Sequence, residues 1–183
     1  MKICVIGASG QVGRVVYERL KRMKDAEVIP VVRSVSNAWY LIRSNTHFIQ
    51  AELGNVSDID KILKGCTHVV DCALAKDNEI EGNSRRLIDG CIRHGVRQLV
   101  HMSSVAVYGQ RPHKSASVED GIASPTPYTY GWYKLKQDKV VKDAYSNKFK
   151  TNILCIPNVT GPYSKFMHAM LKVILNGKMA YVD

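Results

Sequence analysis

The sequence of 183 residues is 45% hydrophobic and 23% charged, which predicts a globular chain of one domain, with at most the start of a second. Lysine and arginine outnumber aspartate and glutamate by 26 to 16, so a surface with a formal charge of +10 favours anionic ligands such as nucleotides. The basic residues are scattered, without interleaved aromatic residues, and no apolar run is long enough for a membrane span. We therefore expect neither nucleic acid nor a membrane as a partner.

The five cysteines form no C-x-x-C pair, and most of them lie in apolar runs. Cysteines in such positions are typical of buried, reduced thiols in a cytosolic protein. The six histidines are scattered, and none of them pairs at a spacing that suits a metal site. We therefore expect no metal and, because no secretion signal is recognisable, a cytoplasmic location.

The first predicted elements are a strand, a glycine loop and a helix. Residues 3–6 are apolar and predict a buried strand, and apolar residues at helical spacing over residues 12–20 predict a helix. The pattern G-x-x-G-x-x-G lies between them. In this context Gly7 permits a tight exit from the strand, Gly10 lets the backbone approach a pyrophosphate, and Gly13 lets the helix lie close to the sheet. The free N–H groups at the start of the helix would bind the phosphates of a dinucleotide.

Strands and helices alternate along the rest of the chain. Residues 34–45 predict a weak helix or a loop, residues 110–127 predict a long polar loop, and Ser57 is the predicted N-cap of the second clear helix. The alternation predicts an α/β fold, a doubly wound parallel sheet of the Rossmann type in strand order 3-2-1-4-5-6, with helices on both faces. The remaining strands are predicted at 27–32, 47–50, 68–73, 98–102 and 151–156, and the remaining helices at 57–65, 79–94, 128–145 and 166–175.

Arg33 ends the second predicted strand, where the adenosine ribose of a dinucleotide would lie. An acidic residue at this place would bind the ribose 2′-hydroxyl of NAD, whereas a basic residue would accept the 2′-phosphate of NADP. Arg14, next to the last glycine of the loop, adds a second positive group. The sequence therefore predicts NADP or NAD as cofactor, with NADP favoured by Arg33.

Tyr130 and Lys134 lie four residues apart on a predicted helix and therefore share one face. Ionising a tyrosine at neutral pH costs roughly 4 kcal/mol, because its ordinary pKa is ~10. A neighbouring ammonium group favours the phenolate and lowers that cost. This arrangement suits a tyrosine that acts as general acid and base on a hydroxyl proton.

Two serines distinguish this pair from a second one with the same spacing. Ser103 and Ser104 follow the fifth predicted strand, where a hydroxyl faces the ligand crevice and can bind a reacting oxygen. Tyr17 and Lys21 in the first helix have no such serine, and we predict that they lie on the surface.

Further motifs follow the glycine loop in a fixed order. They are Ser-Ser-x-x-Val-Tyr-Gly at 103–109, Glu119-Asp120, Tyr-Gly-x-x-Lys at 130–134 and Asn-Val-Thr-Gly-Pro at 158–162. On these motifs the chain resembles the extended short-chain dehydrogenases/reductases, and among them the NAD-dependent epimerase/dehydratase group that acts on nucleotide sugars. The resemblance implies an NAD(P)-dependent epimerase or oxidoreductase acting on a nucleotide sugar.

The resemblance also implies a role for individual residues. The catalytic residues would be Ser104, Tyr130 and Lys134, with Lys134 also bound to the nicotinamide ribose. The substrate-binding residues would be Ser103, Ser104 and Asn158. The cofactor-binding residues would be Gly7, Ser9, Gly10, Gln11, Val12, Gly13, Arg33, Glu52, Leu53, Ala73, Leu74, Ala75, Tyr130, Lys134, Pro157 and Val159.

The chain departs from the family pattern at several positions. Tyr133 replaces the serine that usually precedes the catalytic lysine, and Ile80 replaces a frequent asparagine. The Thr-Asp-Glu set of sugar 4,6-dehydratases is absent, because Ser104 is followed by Val105 and Ala106. These residues argue against dehydration and for epimerisation or simple carbonyl/alcohol redox chemistry.

The resemblance predicts two regions, with residues 1–162 as the NAD(P)-binding domain. Residues 163–183 would then begin a C-terminal substrate lobe, which we expect to be truncated. Two alternatives are a one-way NADPH-dependent carbonyl reductase and a non-catalytic regulator that senses the dinucleotide. Such regulators usually lack the tyrosine–lysine pair, which this chain has. A homodimer is left open.

Overall fold

The computed structural model describes residues 1–74, 77–114, 121–161 and 164–177. Within these ranges six parallel strands form one sheet in the order 3-2-1-4-5-6, which confirms the predicted α/β fold. The strands are β1 (Lys2–Ile6), β2 (Glu27–Val32), β3 (Ile49–Gln50), β4 (His68–Asp71), β5 (Gln98–Ser104) and β6 (Lys150–Ile156).

Helices connect successive strands and cover the sheet. They are α1 (Gln11–Leu20), α2 (Trp39–Arg43), α3 (Val56–Leu63), α4 (Ile80–Arg93), α5 (Tyr130–Asp143) and α6 (Lys165–Leu175). Among the described residues, none of these helices combines the length and apolarity that crossing a lipid bilayer requires.

Side chains of β1 alternate between two hydrophobic clusters, because successive residues of a strand point to opposite faces of the sheet. Cys4 and Ile6 belong to a cluster with residues of α3, α4 and α5, whereas Ile3 and Val5 pack with Tyr17 and residues of α2. The core therefore lies on both sides of the sheet, as a doubly wound arrangement requires.

The prediction that Tyr17 lies on the surface is wrong. Its side chain is 5% exposed and packs in the second cluster, whereas Val15 on the same helix is 56% exposed. Gly13 and Tyr17 are one helical turn apart, so both face the sheet, and the glycine leaves room for the helix to approach.

Pairing and capping also move some predicted boundaries. Strand β5 includes Ser103 and Ser104, two residues more than predicted, because both pair with β6. The prediction that Ser57 is the N-cap of α3 is wrong. The helix begins at Val56 and Asn55 is its N-cap, since the Asn55 side chain accepts a hydrogen bond of 2.9 Å from the Ser57 N–H.

Candidate active site

A cavity of about 670 Å³ opens at the carboxyl ends of the strands, the edge at which doubly wound sheets bind ligands. Its volume is in the range of small-molecule and cofactor sites. Thirteen of the predicted site residues line it: Gly7, Ser9, Gly10, Gln11, Val12, Arg33, Glu52, Leu53, Ala73, Leu74, Ser103, Tyr130 and Lys134.

The glycine loop forms one end of this cavity and is folded too tightly for side chains. Gly7 has φ +76°, and a Cβ on it would lie 2.8 Å from the backbone carbonyl carbon of Cys72. A Cβ on Gly13 would overlap the carbonyl oxygen of Gly7. Gly13 therefore lies behind the loop and not on the cavity wall. The N-terminus of α1 faces the cavity without an acidic residue in its first turn, so its N–H groups suit an anion.

An aromatic and basic cluster lies beside the loop. The Tyr40 hydroxyl donates a 2.5 Å hydrogen bond to the Ala8 carbonyl oxygen, and burial raises the pKa of Tyr40 to about 12. The Arg14 guanidinium lies 4.1 Å from the centroid of the Tyr40 ring and 5.3 Å from that of Trp39. Exposed Arg33 lines the same end. This end of the cavity therefore carries two cations and two aromatic rings that meet edge to face.

A hydrogen bond connects the glycine loop to the segment that follows β6. The Gln11 Nε2 donates a 3.1 Å hydrogen bond to the carbonyl oxygen of Val159. Ser164 at the N-terminus of α6 donates to the same oxygen at 2.9 Å. Pro157, Asn158 and Val159 are described, but they are not among the residues that line the cavity.

Tyr130 and Lys134 form the opposite end of the cavity. Tyr130 is the first residue of α5 and is 40% exposed, whereas Lys134 is 3% exposed. The Lys134 Nζ donates hydrogen bonds to the Met102 carbonyl oxygen at 2.9 Å and to the Gln137 Oε1 at 2.8 Å. Burial lowers the pKa of Lys134.

The helix start lies against the turn that follows β5. A Cβ on Gly131 would overlap the carbonyl oxygen of Ala106, so this glycine allows the contact. The two serines of β5 differ. Ser103 lines the cavity and donates a 2.5 Å hydrogen bond to the Asp138 Oδ2. Ser104 is not among the residues that line the cavity, and it accepts a 3.2 Å hydrogen bond from the Ala106 N–H.

The model of the NAD dependent epimerase/dehydratase family matches residues 3–182. The chain belongs to this family. A search of curated proteins gave no match.

Solved structures of NAD-bound family enzymes have the same fold. A UDP-glucuronic acid 4-epimerase from Bacillus cereus, in complex with NAD, has a TM-score of 0.78 at 24% identity, over 97% of this chain and 64% of its own. A dTDP-glucose 4,6-dehydratase double mutant from Streptomyces venezuelae, with NAD bound, has a TM-score of 0.79 at 21% identity, over 97% and 63%. The chain spans less than two thirds of the length of these relatives.

Four predicted positions of the family pattern lie outside the described residues. They are Ala75, Glu119, Asp120 and Pro162. The sequence also missed residues that line the cavity, because single side chains that reach it from separate helices, turns and strands leave no local pattern. Examples are Asn37, Trp39, Tyr40, Asn83, Met102 and Ile156.

Proposed function

We propose that this chain carries the dinucleotide-binding part of an NAD(P)-dependent epimerase or oxidoreductase that acts on a nucleotide sugar. The observation that carries the proposal is that one cavity has the glycine loop at one end and Tyr130 with Lys134 at the other. On this proposal residues 1–162 bind the dinucleotide, and the region from residue 163 onward begins the substrate lobe.

The residues of the cavity suit a dinucleotide along its length. The N–H groups at the start of α1 would bind the pyrophosphate. Arg33 and Arg14 would bind a 2′-phosphate at the adenosine end. Lys134 would bind the ribose of the nicotinamide. The family relatives crystallised with NAD support the cofactor class, and the two arginines favour NADP.

A bound nicotinamide dinucleotide supplies the hydride acceptor and donor of the reaction. The residues of the chain would handle the proton. Tyr130 takes the proton of a sugar hydroxyl, and the ammonium of Lys134 lowers the free energy of the phenolate. Ser104 hydrogen-bonds the reacting oxygen. In an epimerase, Tyr130 returns the proton after the sugar has presented its other face.

The residues that follow Ser104 favour epimerisation or redox chemistry over dehydration. Val105 and Ala106 supply neither a carboxylate nor a carboxylic acid to the turn after β5. A dehydratase needs an acid that protonates the departing hydroxyl. Relatives of similar fold include both epimerases and dehydratases, so this turn is the feature that separates the two reactions here.

A thermal-unfolding screen tests the proposal. NADP(H), NAD(H) and UDP- and dTDP-sugars are each added to the protein, and we expect a dinucleotide to raise the unfolding temperature, since a ligand stabilises the state that it binds. Lys134→Met should reduce this shift, and Lys136→Met, two residues along α5 and outside the cavity, should not. No shift with any dinucleotide would contradict the proposal.

A one-way NADPH-dependent reductase is the second candidate, favoured by the two arginines at the adenosine end. The two reactions differ in their net redox change. A reductase accumulates oxidised cofactor in proportion to product, whereas an epimerase converts one sugar nucleotide into another at constant cofactor absorbance.

A further inference from the structure

Four ionisable side chains are buried together beneath the Tyr130 end of the cavity. Asp71 comes from β4, His101 from β5, and Lys134 and Asp138 from α5. Their exposed fractions are 3%, 0%, 3% and 8%. Because an uncompensated charge in the interior is strongly unfavourable, the charges of this cluster have to balance.

His101 lies between two carboxylates. Its Nδ1 is 3.2 Å from the Asp71 Oδ2, and its Nε2 is 3.5 Å from the Asp138 Oδ1. Among the buried side-chain atoms of the described residues, this Nε2 and this Oδ1 are the two without a hydrogen-bond partner, and they face each other as an ion pair. A neutral imidazole would set a lone pair against one of the carboxylates. The geometry therefore favours the charged ring.

The charged ring balances the cluster, with two carboxylates against an imidazolium and an ammonium. Burial by itself lowers the pKa of His101, but the nearby carboxylates of Asp138 and Asp71 outweigh it, and the pKa lies above its ordinary value. Burial also lowers the pKa of Lys134, while Asp71, Asp138 and Cys72 act in the opposite direction.

Asp138 also connects this charge set to the cavity wall. Its Oδ2 accepts the hydrogen bond of the Ser103 hydroxyl at 2.5 Å, and it follows Lys134 by one turn of α5. Lys134 itself is held by Met102 and Gln137, which use two of its three ammonium hydrogens.

We propose that Asp138 and Asp71 hold His101 as an imidazolium, and that Asp138 is a positioning residue that keeps Lys134 charged and directed into the cavity. Asp138 does not line the cavity, so it acts through its neighbours. Its effect on catalysis rests on the proposed function, whereas the charge of His101 does not.

Histidine NMR tests the charge directly. The imidazole resonance of His101, assigned by its absence from His101→Gln, is followed from pH 5 to pH 9 in the wild type and in Asp138→Asn. We expect a charged ring at pH 7 in the wild type and a titration at least one pH unit lower in Asp138→Asn. Asp143→Asn, an exposed carboxylate on the same helix, should leave the titration unchanged. A neutral His101 at pH 7 in the wild type would overturn the proposal, and this result does not depend on whether Asp138→Asn folds.

The rate of hydride transfer across pH tests the link to Lys134. Asp138→Asn removes a counter-ion of Lys134, so we expect the alkaline limb of the profile to move to lower pH, with cofactor affinity within a few-fold of the wild type. Asp138→Glu should restore the wild-type limb. A profile identical to the wild type would overturn the role of Asp138. Absence of dinucleotide binding by the wild type would contradict the proposed function alone, since the His101 titration is still read.

Discussion

The two ends of the cavity are built from different groups. At the glycine-loop end, backbone lines the wall where Gly7 and Gly10 carry no side chain and α1 begins, next to the side chains of Arg14 and Tyr40. At the Tyr130 end the wall depends on side-chain charges that β4, β5 and α5 bring together. The first end is therefore sensitive to added volume, and the second to a change of charge or the loss of a hydroxyl.

The largest effect is expected when one hydroxyl is removed at the Tyr130 end of the cavity. Tyr130→Phe keeps the ring and should lower the rate of hydride transfer by roughly 10²–10⁴, the usual contribution of a positioned proton donor or acceptor. Cofactor affinity should change by no more than a few-fold, because the glycine-loop end is intact. Single-turnover rates measure the first and titration the second.

Tyr17→Phe is the matched control for this variant, since it also removes a tyrosine hydroxyl. The Tyr17 side chain packs in the core between α1 and the sheet, away from the cavity wall. It should leave the rate at the wild-type level. A Tyr130→Phe rate equal to that of the wild type at every pH would show that Tyr130 does not transfer the proton.

The next largest effect is expected when one methyl group is added at the glycine-loop end of the cavity. Gly13→Ala sets a Cβ onto the carbonyl oxygen of Gly7, and overpacking of this kind costs about 1–3 kcal/mol. Because the loop must move, cofactor affinity should fall by roughly 10- to 100-fold, which is about 1.4–2.7 kcal/mol. Urea unfolding and cofactor titration measure the two losses.

Gly82→Ala is the control, because Gly82 is a glycine within α4. A Cβ added to it would first meet the flexible end of the Arg86 side chain, at 3.5 Å. It should raise the free energy of unfolding by about 0.5–1 kcal/mol, since alanine favours helices. If Gly13→Ala were equally harmless, the tight packing of the loop would have no energetic importance.

A smaller effect separates the two dinucleotides at the adenosine end. Arg33→Ala should weaken NADP binding by roughly 10-fold and leave NAD binding unchanged, because a charge-assisted hydrogen bond contributes about 1.5–3 kcal/mol, and less where it is exposed. Arg43→Ala, an exposed arginine of α2 outside the cavity wall, should change neither affinity. Equal NADP affinity in Arg33→Ala and the wild type would remove Arg33 from cofactor selection.

The smallest effect concerns a solvent-exposed charge cluster. Asp60 accepts hydrogen bonds from Arg93 at 2.8 Å and His94 at 2.9 Å, and these hold its pKa below the ordinary value. A carboxylate of this kind stabilises the fold above its unfolded pKa of ~4, and the contribution is lost as the pH falls through the folded value. Urea midpoints of Asp60→Asn and wild type should differ slightly at pH 7 and converge near pH 3. If the difference between the two urea midpoints grew as the pH fell, the expected sign of this contribution would be wrong.

The glycine-loop end of the cavity could be predicted from the sequence because the residues that form it are close together in the chain. The strand before Gly7, the glycine spacing and the helix after it lie within 20 residues, and the alternation of strands and helices predicts the sheet order. The same reasoning was wrong for Tyr17, since the spacing shared with Lys21 says nothing about which face of α1 lies on the sheet.

The buried charges of the other end could not be predicted in this way. Asp71, His101 and Asp138 come from segments at least 30 residues apart, and each looks like an ordinary residue of its strand or helix. Their contacts exist only after β4, β5 and α5 have packed. Strand alternation places Ser103 and Ser104 on opposite faces of β5, but only the packed structure brings Ser103 to Asp138.

The strand order has a consequence for synthesis of the protein. β1 is the first of the six strands to leave the ribosome, yet it lies between β2 and β4. Its pairing with β4 requires residues 68–71. A nascent chain that has reached only β3 therefore exposes one edge of its central strand. Such an edge pairs readily with other chains, so the interval before β4 emerges is the period in which a chaperone has most to protect.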